Sequence, residues 1–180
     1  MKLRETTIAT EKIYEGQIIT VRKDTVALPN GGKSLREIVE HPGGVAVVAI
    51  DENEMVYMVR QYRHAFGDVV MEIPAGKLDD GEEPNDCCVR ELAEETGLSA
   101  GRYDYLGKFM LSPGFCKEWI HIYLARDLSI GKAHLDPDEF LEVIKVPLSQ
   151  LVAMIMDNKL QDAKTVMGIL KAWVMIREEK

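Results

Sequence analysis

Glu91, Glu94 and Glu95 fall within five residues of one another, in the acidic stretch GKLDDGEEPNDCCVRELAEETGL that runs from Gly76 to Leu98. Carboxylates clustered in this way can hold a hard divalent cation through oxygen, or move protons in acid–base chemistry. Pro84 suits the first turn of a helix, and Glu82, Glu83 and Asp86 suit the positive end of its dipole. Gly97 suits the position just past the last turn, so the spacing predicts a helix over residues 84–96. At about 100° per residue, with Glu91 at zero, Glu95 falls at about +40° and Glu94 at about −60°. All three carboxylates then share one arc, and Cys88, Val89, Leu92, Ala93 and Thr96 form the adjacent stripe expected to face a core.

Helix stability alone does not favour this arrangement. Like charges at spacings of three and four cost about 0.2–0.5 kcal/mol per pair, and anions are disfavoured near a helix C-terminus. A divalent cation removes the conflict, because Mg²⁺ takes one or two carboxylates together with waters and substrate phosphates. A solvated acidic face would not require Gly76, Gly81, Arg90 or Gly97. Cys87 lies inside the carboxylate arc, one turn before Glu91, where it reads as an inert neighbour or as a contact for soft metals.

The elements that must position this helix are mostly strands. Residues 17–28 are rich in β-branched side chains, PNGG at Pro29 to Gly32 is a turn signal, and residues 34–40 follow as the second arm of a hairpin. GVAVVAI, from Gly44 to Ile50, is a continuous apolar run and predicts a strand buried on both faces, with residues 55–63 as its hairpin partner. Further strands are expected at 69–73, 103–110, 118–125 and 141–146. Residues 149–178 carry apolar spacings of three and four, interrupted at Asp157-Asn158-Lys159, with Asp162 as the N-cap of a last helix. These elements predict an α+β protein in which a mixed sheet is flanked by helices, divided into an N-terminal β region over 1–42 and a larger domain over 43–180.

Composition excludes several classes. The 180 residues, 46% hydrophobic and 29% charged, suit one main globular domain, and no run of apolar residues is long enough to span a membrane. The N-terminal MKLRETTIATEK lacks the apolar core of a signal peptide, so the expected location is the cytoplasm. Three cysteines with no CxxC spacing suggest neither a disulfide framework nor a zinc site. A formal net charge of −8 argues against sequence-independent binding of nucleic acid, although a few arginines and a cation could still hold a small phosphate.

The acidic stretch resembles the signature of the Nudix hydrolases: Gly, five residues, Glu, seven residues, Arg-Glu, an aliphatic residue, any residue, Glu-Glu, any residue, Gly, aliphatic. Gly76, Glu82, Arg90, Glu91, Leu92, Glu94, Glu95, Gly97 and Leu98 fill every fixed place. A chance match in a chain of this length is on the order of 10⁻⁸. The resemblance implies a Nudix-type α/β/α sandwich and metal-assisted hydrolysis of a nucleoside diphosphate linked to another moiety. It implies that Glu91 and Glu95 are direct Mg²⁺ ligands, with Mn²⁺ as a possible substitute. The same resemblance implies that Glu94 is an additional or water-mediated ligand counted among the catalytic carboxylates, that the Ala75 carbonyl completes the site, and that Glu82 with Arg90 is a structural ion pair. Two or three ions are implied.

Outside the signature, Glu72 to Lys77 (EIPAGK), Pro113 sixteen residues beyond Gly97, the segment Arg36 to Gly43 (REIVEHPG) and the segment Val59 to Arg63 (VRQYR) are similar to the ADP-ribose pyrophosphatase subfamily. That resemblance implies hydrolysis of ADP-ribose to AMP and ribose 5-phosphate by a homodimer whose N-terminal region forms the interface. Arg63 is the first candidate for a diphosphate contact, because a guanidinium fork matches phosphate oxygens. Arg36, Ser112, Pro113, Gly114 and Glu118 are further candidates for substrate binding. Glu139 matches a loop carboxylate that reaches a metal. The position at which relatives carry an acid thought to be the base is Pro137 here, which leaves Glu139, Asp138, Asp136 and Glu142 as candidates, with Glu139 preferred. The alternatives are a pyrophosphatase for another sugar nucleotide such as GDP-mannose, and a catalytically silent domain that senses nucleotide sugars.

Overall fold

The computed structural model describes residues 3–135, 137 and 139–179. In chain order the strands β1 (Thr6–Glu15), β2 (Thr20–Ala27), β3 (Lys33–Glu40), β4 (Gly44–Ile50), β5 (Met55–Arg63), β6 (Asp68–Glu72) and β7 (Ala75–Lys77) precede helix α1 (Pro84–Thr96). There follow β8 (Leu98–Met110), β9 (Cys116–Lys117), β10 (Trp119–Ile130) and β11 (Leu141–Pro147), then α2 (Leu148–Met156) and α3 (Ala163–Glu178). They fall into two compact units, one of Met1–Gly43 with Met110–Trp119 and one of Gly44–Phe109 with Ile120–Lys180.

The first unit is a four-stranded sheet in the order β1-β2-β3-β9. Its β2–β3 hairpin closes through the PNGG turn, where Gly31 adopts φ 86° and the Leu28 N–H donates to the Gly32 carbonyl at 2.8 Å. Strand β1 was not foreseen in the sequence. All ten of its residues are exposed, so the apolar alternation that marks a half-buried strand is missing, and only the Thr and Ile content of TTIATEKIYE favours it.

The second unit is built on a mixed sheet in the order β11-β5-β4-β10-β8, with β6 paired to β5 and β7 to β4. Strand β4 runs antiparallel to β5 and parallel to β10, and every one of its residues is buried. On one face Val45, Val47 and Ala49 pack with Cys87, Cys88 and Leu92 of α1. The opposite face receives α3, which comes so close at Gly168 that an added Cβ would meet Ile73 and Val48 at 3.0 Å and Ile122 at 3.3 Å. A helix therefore covers each face of the sheet, and the continuous apolar run of β4 is explained by burial from both sides. Asp162 caps α3, accepting from the Thr165 N–H at 3.1 Å.

One expectation for α1 needs correcting. Its buried residues are Cys87, Cys88, Glu91, Leu92 and Glu95, whereas Val89 is 40% exposed. The core face is thus rotated toward the carboxylates, and two of the three glutamates lie on it. An apolar wheel assigns the core side by hydrophobicity and cannot anticipate a face that buries charge for another purpose.

The close approach of α3 gives a stability prediction. Gly168→Val overpacks the contact with Ile73 and Val48 and should destabilise the fold by about 1–3 kcal/mol. In urea this reads as a lower midpoint at unchanged slope. A midpoint equal to the wild type would mean that the interface is looser than described.

Candidate active site

The carboxylates meet the loop before α1 at close quarters. Glu91 and Glu95 are only 9% and 3% exposed. A Cβ on Gly76 would overlap the Glu91 carboxylate, so only glycine lets the backbone pass there. The Ala75 N–H donates to Glu95 Oε2 at 3.0 Å. Burial pushes Glu95 up to about 8, opposed by that backbone hydrogen bond and reinforced by the nearby charges of Glu91 and Glu139. Glu91 is likewise raised, first by burial, then partly relieved by Arg90.

Arg90 organises the helix against the loop. Its Nε and Nη2 grip Glu82 Oε1 and Oε2, each at 2.8 Å, while Nη1 reaches Glu91 Oε1 at 2.8 Å and Glu94 Oε2 at 3.0 Å. Nη2 also donates to the Lys77 carbonyl at 3.2 Å. Glu82 in turn accepts from the Asp79 N–H at 3.0 Å, and the hydrogen bond from Arg90 is the main reason its pKa falls to about 2. Cys87 sits fully buried behind this cluster, its thiol 3.5 Å from the Lys77 carbonyl, and burial pushes its pKa up. The thiol packs into the core and also accepts from Arg90 Nη2 at 3.4 Å, which fits the inert-neighbour reading.

The C-terminus of α1 is capped by a distant loop. Gly97 adopts φ 71°, its own N–H returns to the Ala93 carbonyl at 2.9 Å, and its carbonyl accepts from the Gly131 N–H at 2.7 Å. The His134 N–H donates to the Glu94 carbonyl at 2.9 Å. A Cβ at position 97 would strike Ala133 N at 2.7 Å, so both the backbone angle and the loop require glycine. These bonds bring the loop that carries Glu139 to the end of α1, where the Glu139 charge acts on both Glu91 and Glu95. Asp136 and Asp138 lie outside the described residues. Glu142 sits on β11 and pairs with Arg60 at 3.0 Å.

Arg63 at the end of β5 is held by Glu72, with Nε to Oε1 at 2.6 Å and Nη2 to Oε2 at 2.9 Å. Hydrogen bonding to Glu72 raises the Arg63 pKa. Burial pushes Glu72 up, but bonds from Arg63 and Lys164 outweigh it and hold the carboxyl below its ordinary value. Arg63, Phe66, Glu72, Gln161 and Lys164 wall a cavity of about 620 Å³, within the range of small-ligand sites. Sequence reasoning missed Lys164 and Thr165, because they lie 92 residues from the segment they bind.

The remaining candidates belong to the first unit. Arg36 pairs with Glu5 through Nε at 3.0 Å and Nη2 at 2.5 Å, and its Nη1 donates to Ser34 Oγ at 2.9 Å. The Ser112 carbonyl accepts from the Cys116 N–H at 2.9 Å, which shapes the turn holding Pro113 and Gly114. Pro113, Glu118, Trp119 and Arg22 border a cavity of about 270 Å³. Glu118 Oε1 lies 3.5 Å from His41 Nδ1.

The donor set fits a hard cation. Among the described residues no three His, Cys, Asp or Glu side chains form a ready cage, and Arg90 pairs with both Glu91 and Glu94. The chemistry is nevertheless all oxygen, from the Glu91 and Glu95 carboxylates and the Ala75 backbone, and two buried carboxylates so close together call for positive charge.

Comparison with known proteins agrees with this picture. The NUDIX domain model matches residues 40–167, and the model of the nucleoside diphosphate sugar hydrolase N-terminal domain matches residues 5–39. The chain is 44% identical over 169 residues to an ADP-ribose pyrophosphatase of Bacillus subtilis, covering 93% of this chain and 91% of that one. It is also 44% identical over 167 residues to a methanol dehydrogenase activator of Bacillus methanolicus, covering 92% and 90%. The crystal structure of an ADP compounds hydrolase superimposes with a TM-score of 0.88 at 22% identity, covering 99% and 98% of the two chains, and shares the fold. Among the described residues no helix is long and apolar enough to cross a membrane.

The contact at Gly76 can be tested directly. Gly76→Ala forces Glu91 or the loop to move and should weaken Mn²⁺ binding by about tenfold or more, as measured by titration calorimetry. Unchanged affinity would show that Glu91 does not need its place beneath the loop.

Proposed function

The chain belongs to the NUDIX domain family, and we propose that it is a Mg²⁺-dependent pyrophosphohydrolase that cleaves ADP-ribose to AMP and ribose 5-phosphate. The observation that carries this reading is the pair of buried carboxylates, Glu91 and Glu95, packed against Ala75 and Gly76 within a complete signature. The share of identity with the Bacillus subtilis ADP-ribose pyrophosphatase supports the choice of substrate.

Glu91, Glu95 and the Ala75 carbonyl would hold the cation, with Glu94 as a further ligand. The chemistry that Mg²⁺, or Mn²⁺ in its place, would supply when bound is charge neutralisation of the diphosphate, a lower pKa for the attacking water and stabilisation of the leaving phosphate. Arg63, kept rigid by Glu72, orients the diphosphate with a guanidinium that costs little to order. Glu139 takes the proton from water. The water oxygen then bonds to one phosphorus, the bridging P–O bond breaks, and the leaving phosphate departs with the bridging oxygen. Arg36, Ser112, Pro113, Gly114 and Glu118 are further proposed substrate contacts, on motif likeness. The N-terminal region, 1–42, is proposed to form a homodimer, and a cytoplasmic location is part of the same proposal.

The relative named as a methanol dehydrogenase activator matches at equal identity, so likeness alone does not choose between turnover and regulation. Retention of every signature glutamate favours turnover over a silent sensor. A panel of ADP-ribose, GDP-mannose, ADP-glucose and NADH with Mg²⁺ decides the matter, with ADP-ribose expected to give the highest kcat/KM. Preference for GDP-mannose would move the substrate assignment, and no turnover of any member would remove the enzymatic reading. Glu95→Gln should lower kcat by about 100-fold or more while leaving the circular dichroism spectrum unchanged. Substantial activity in that variant would contradict the ligand assignment.

A further inference from the structure

Between β6 and β7 the chain stops pairing with β5 and begins pairing with β4, leaving Ile73 and Pro74 outside both ladders. Proline has no N–H, and the buried Ile73 N–H needs an acceptor from elsewhere. It finds one in the Thr165 hydroxyl of α3, at 2.9 Å. That hydroxyl donates onward to Asp162 Oδ2 at 2.5 Å, and Thr165 is fully buried. One residue earlier, Lys164 binds Glu72 Oε2 and also reaches Asp162 Oδ2 at 3.0 Å. The segment is held further along as well, by the Val47 N–H to the Pro74 carbonyl at 2.8 Å and by the Ala75 N–H to Glu95.

Glu72 fixes Arg63, and Ala75 touches Glu95, so both ends of this four-residue segment lie in the site. We infer that the first turn of α3, through Lys164 and Thr165, is a positioning element for the reaction, which fixes Glu72 to Ala75 so that Arg63, the Ala75 carbonyl and Glu95 keep one mutual geometry. The inference rests on the reading that those three groups serve hydrolysis. Two tethers from one helical turn exceed what capping α3 requires, because the Asp162 cap is complete with the Thr165 N–H alone. The crossing of α3 at Gly168, against Ile73 itself, holds that turn in register with the segment.

The test compares Thr165→Val, which keeps the shape and removes the acceptor, with Thr165→Ser, which keeps the hydroxyl. Amide exchange at Ile73 and Ala75 without ligand, Mn²⁺ affinity by calorimetry, and kcat and KM for ADP-ribose are read on each. In Thr165→Val the Ile73 amide should exchange about tenfold faster or more, Mn²⁺ should bind more weakly, and kcat should fall by about 10- to 100-fold at temperatures where the protein is folded. Thr165→Ser should restore all three to within about twofold of wild type. A folded Thr165→Val with wild-type exchange, affinity and kcat would overturn the inference, as would a Thr165→Ser equally impaired. Should Thr165→Val fail to fold, Lys164→Met removes the other tether and should raise KM about tenfold with kcat nearly unchanged, through loosened Arg63. A wild-type KM and wild-type exchange in that variant would overturn the inference. If the wild type turns over no nucleoside diphosphate, the functional reading fails by itself, while amide exchange and Mn²⁺ affinity still decide whether the tether acts.

Discussion

Two carboxylates on the core face of α1 set the terms for the second unit. Removing a charged carboxylate from water costs roughly several kcal/mol unless partners replace the lost solvation. Glu95 receives one backbone N–H and Glu91 one arm of Arg90, and both remain shifted upward in pKa by burial. Such a face is poorly compensated by the protein alone and well compensated by a hard cation. The surrounding residues serve that arrangement. Gly76 admits the Glu91 carboxylate, Gly97 admits the capping loop, and Arg90 ties Glu82 of the loop to the helix.

Rigidity at the site comes from elements far apart in the chain. The segment from Glu72 to Ala75 is fixed by β4, by α1 and by the first turn of α3, while the loop at 131–134 closes the end of α1. Restraint from several directions is what a site needs to hold reacting groups at a set distance. Arg63 shows the same restraint, since two of its nitrogens are committed to Glu72.

Local features were legible in the sequence, and distant ones were not. The limits of α1 follow from Pro84 and Gly97, the double burial of β4 from its unbroken apolar run, and the Asp162 cap from its residue type. The fixed spacing of the signature singled out the family, which the NUDIX domain match over residues 40–167 bears out. Strand β1 escaped notice because its exposed residues show no alternation. The core face of α1 was set too far from the glutamates, since hydrophobicity gives no sign that charge will be buried. Lys164 and Thr165 carried no signal at all: a threonine after a helix cap is ordinary, and its meaning arises only when α3 meets the break between β6 and β7. The substrate contacts proposed on Arg36, Ser112, Pro113, Gly114 and Glu118 rest on motif likeness, because cavity walls alone do not name a sugar.

The central claim is that Glu91, Glu95 and the Ala75 carbonyl together form the cation site. Anomalous diffraction from crystals soaked in Mn²⁺ tests it most directly, by locating the ion without reference to activity. The account predicts an anomalous peak at about 2.0–2.3 Å from carboxylate oxygens of Glu91 and Glu95 and from the Ala75 carbonyl oxygen. Peaks confined to other acids, with Glu91 still paired to Arg90 and no density beside Glu95, would contradict it.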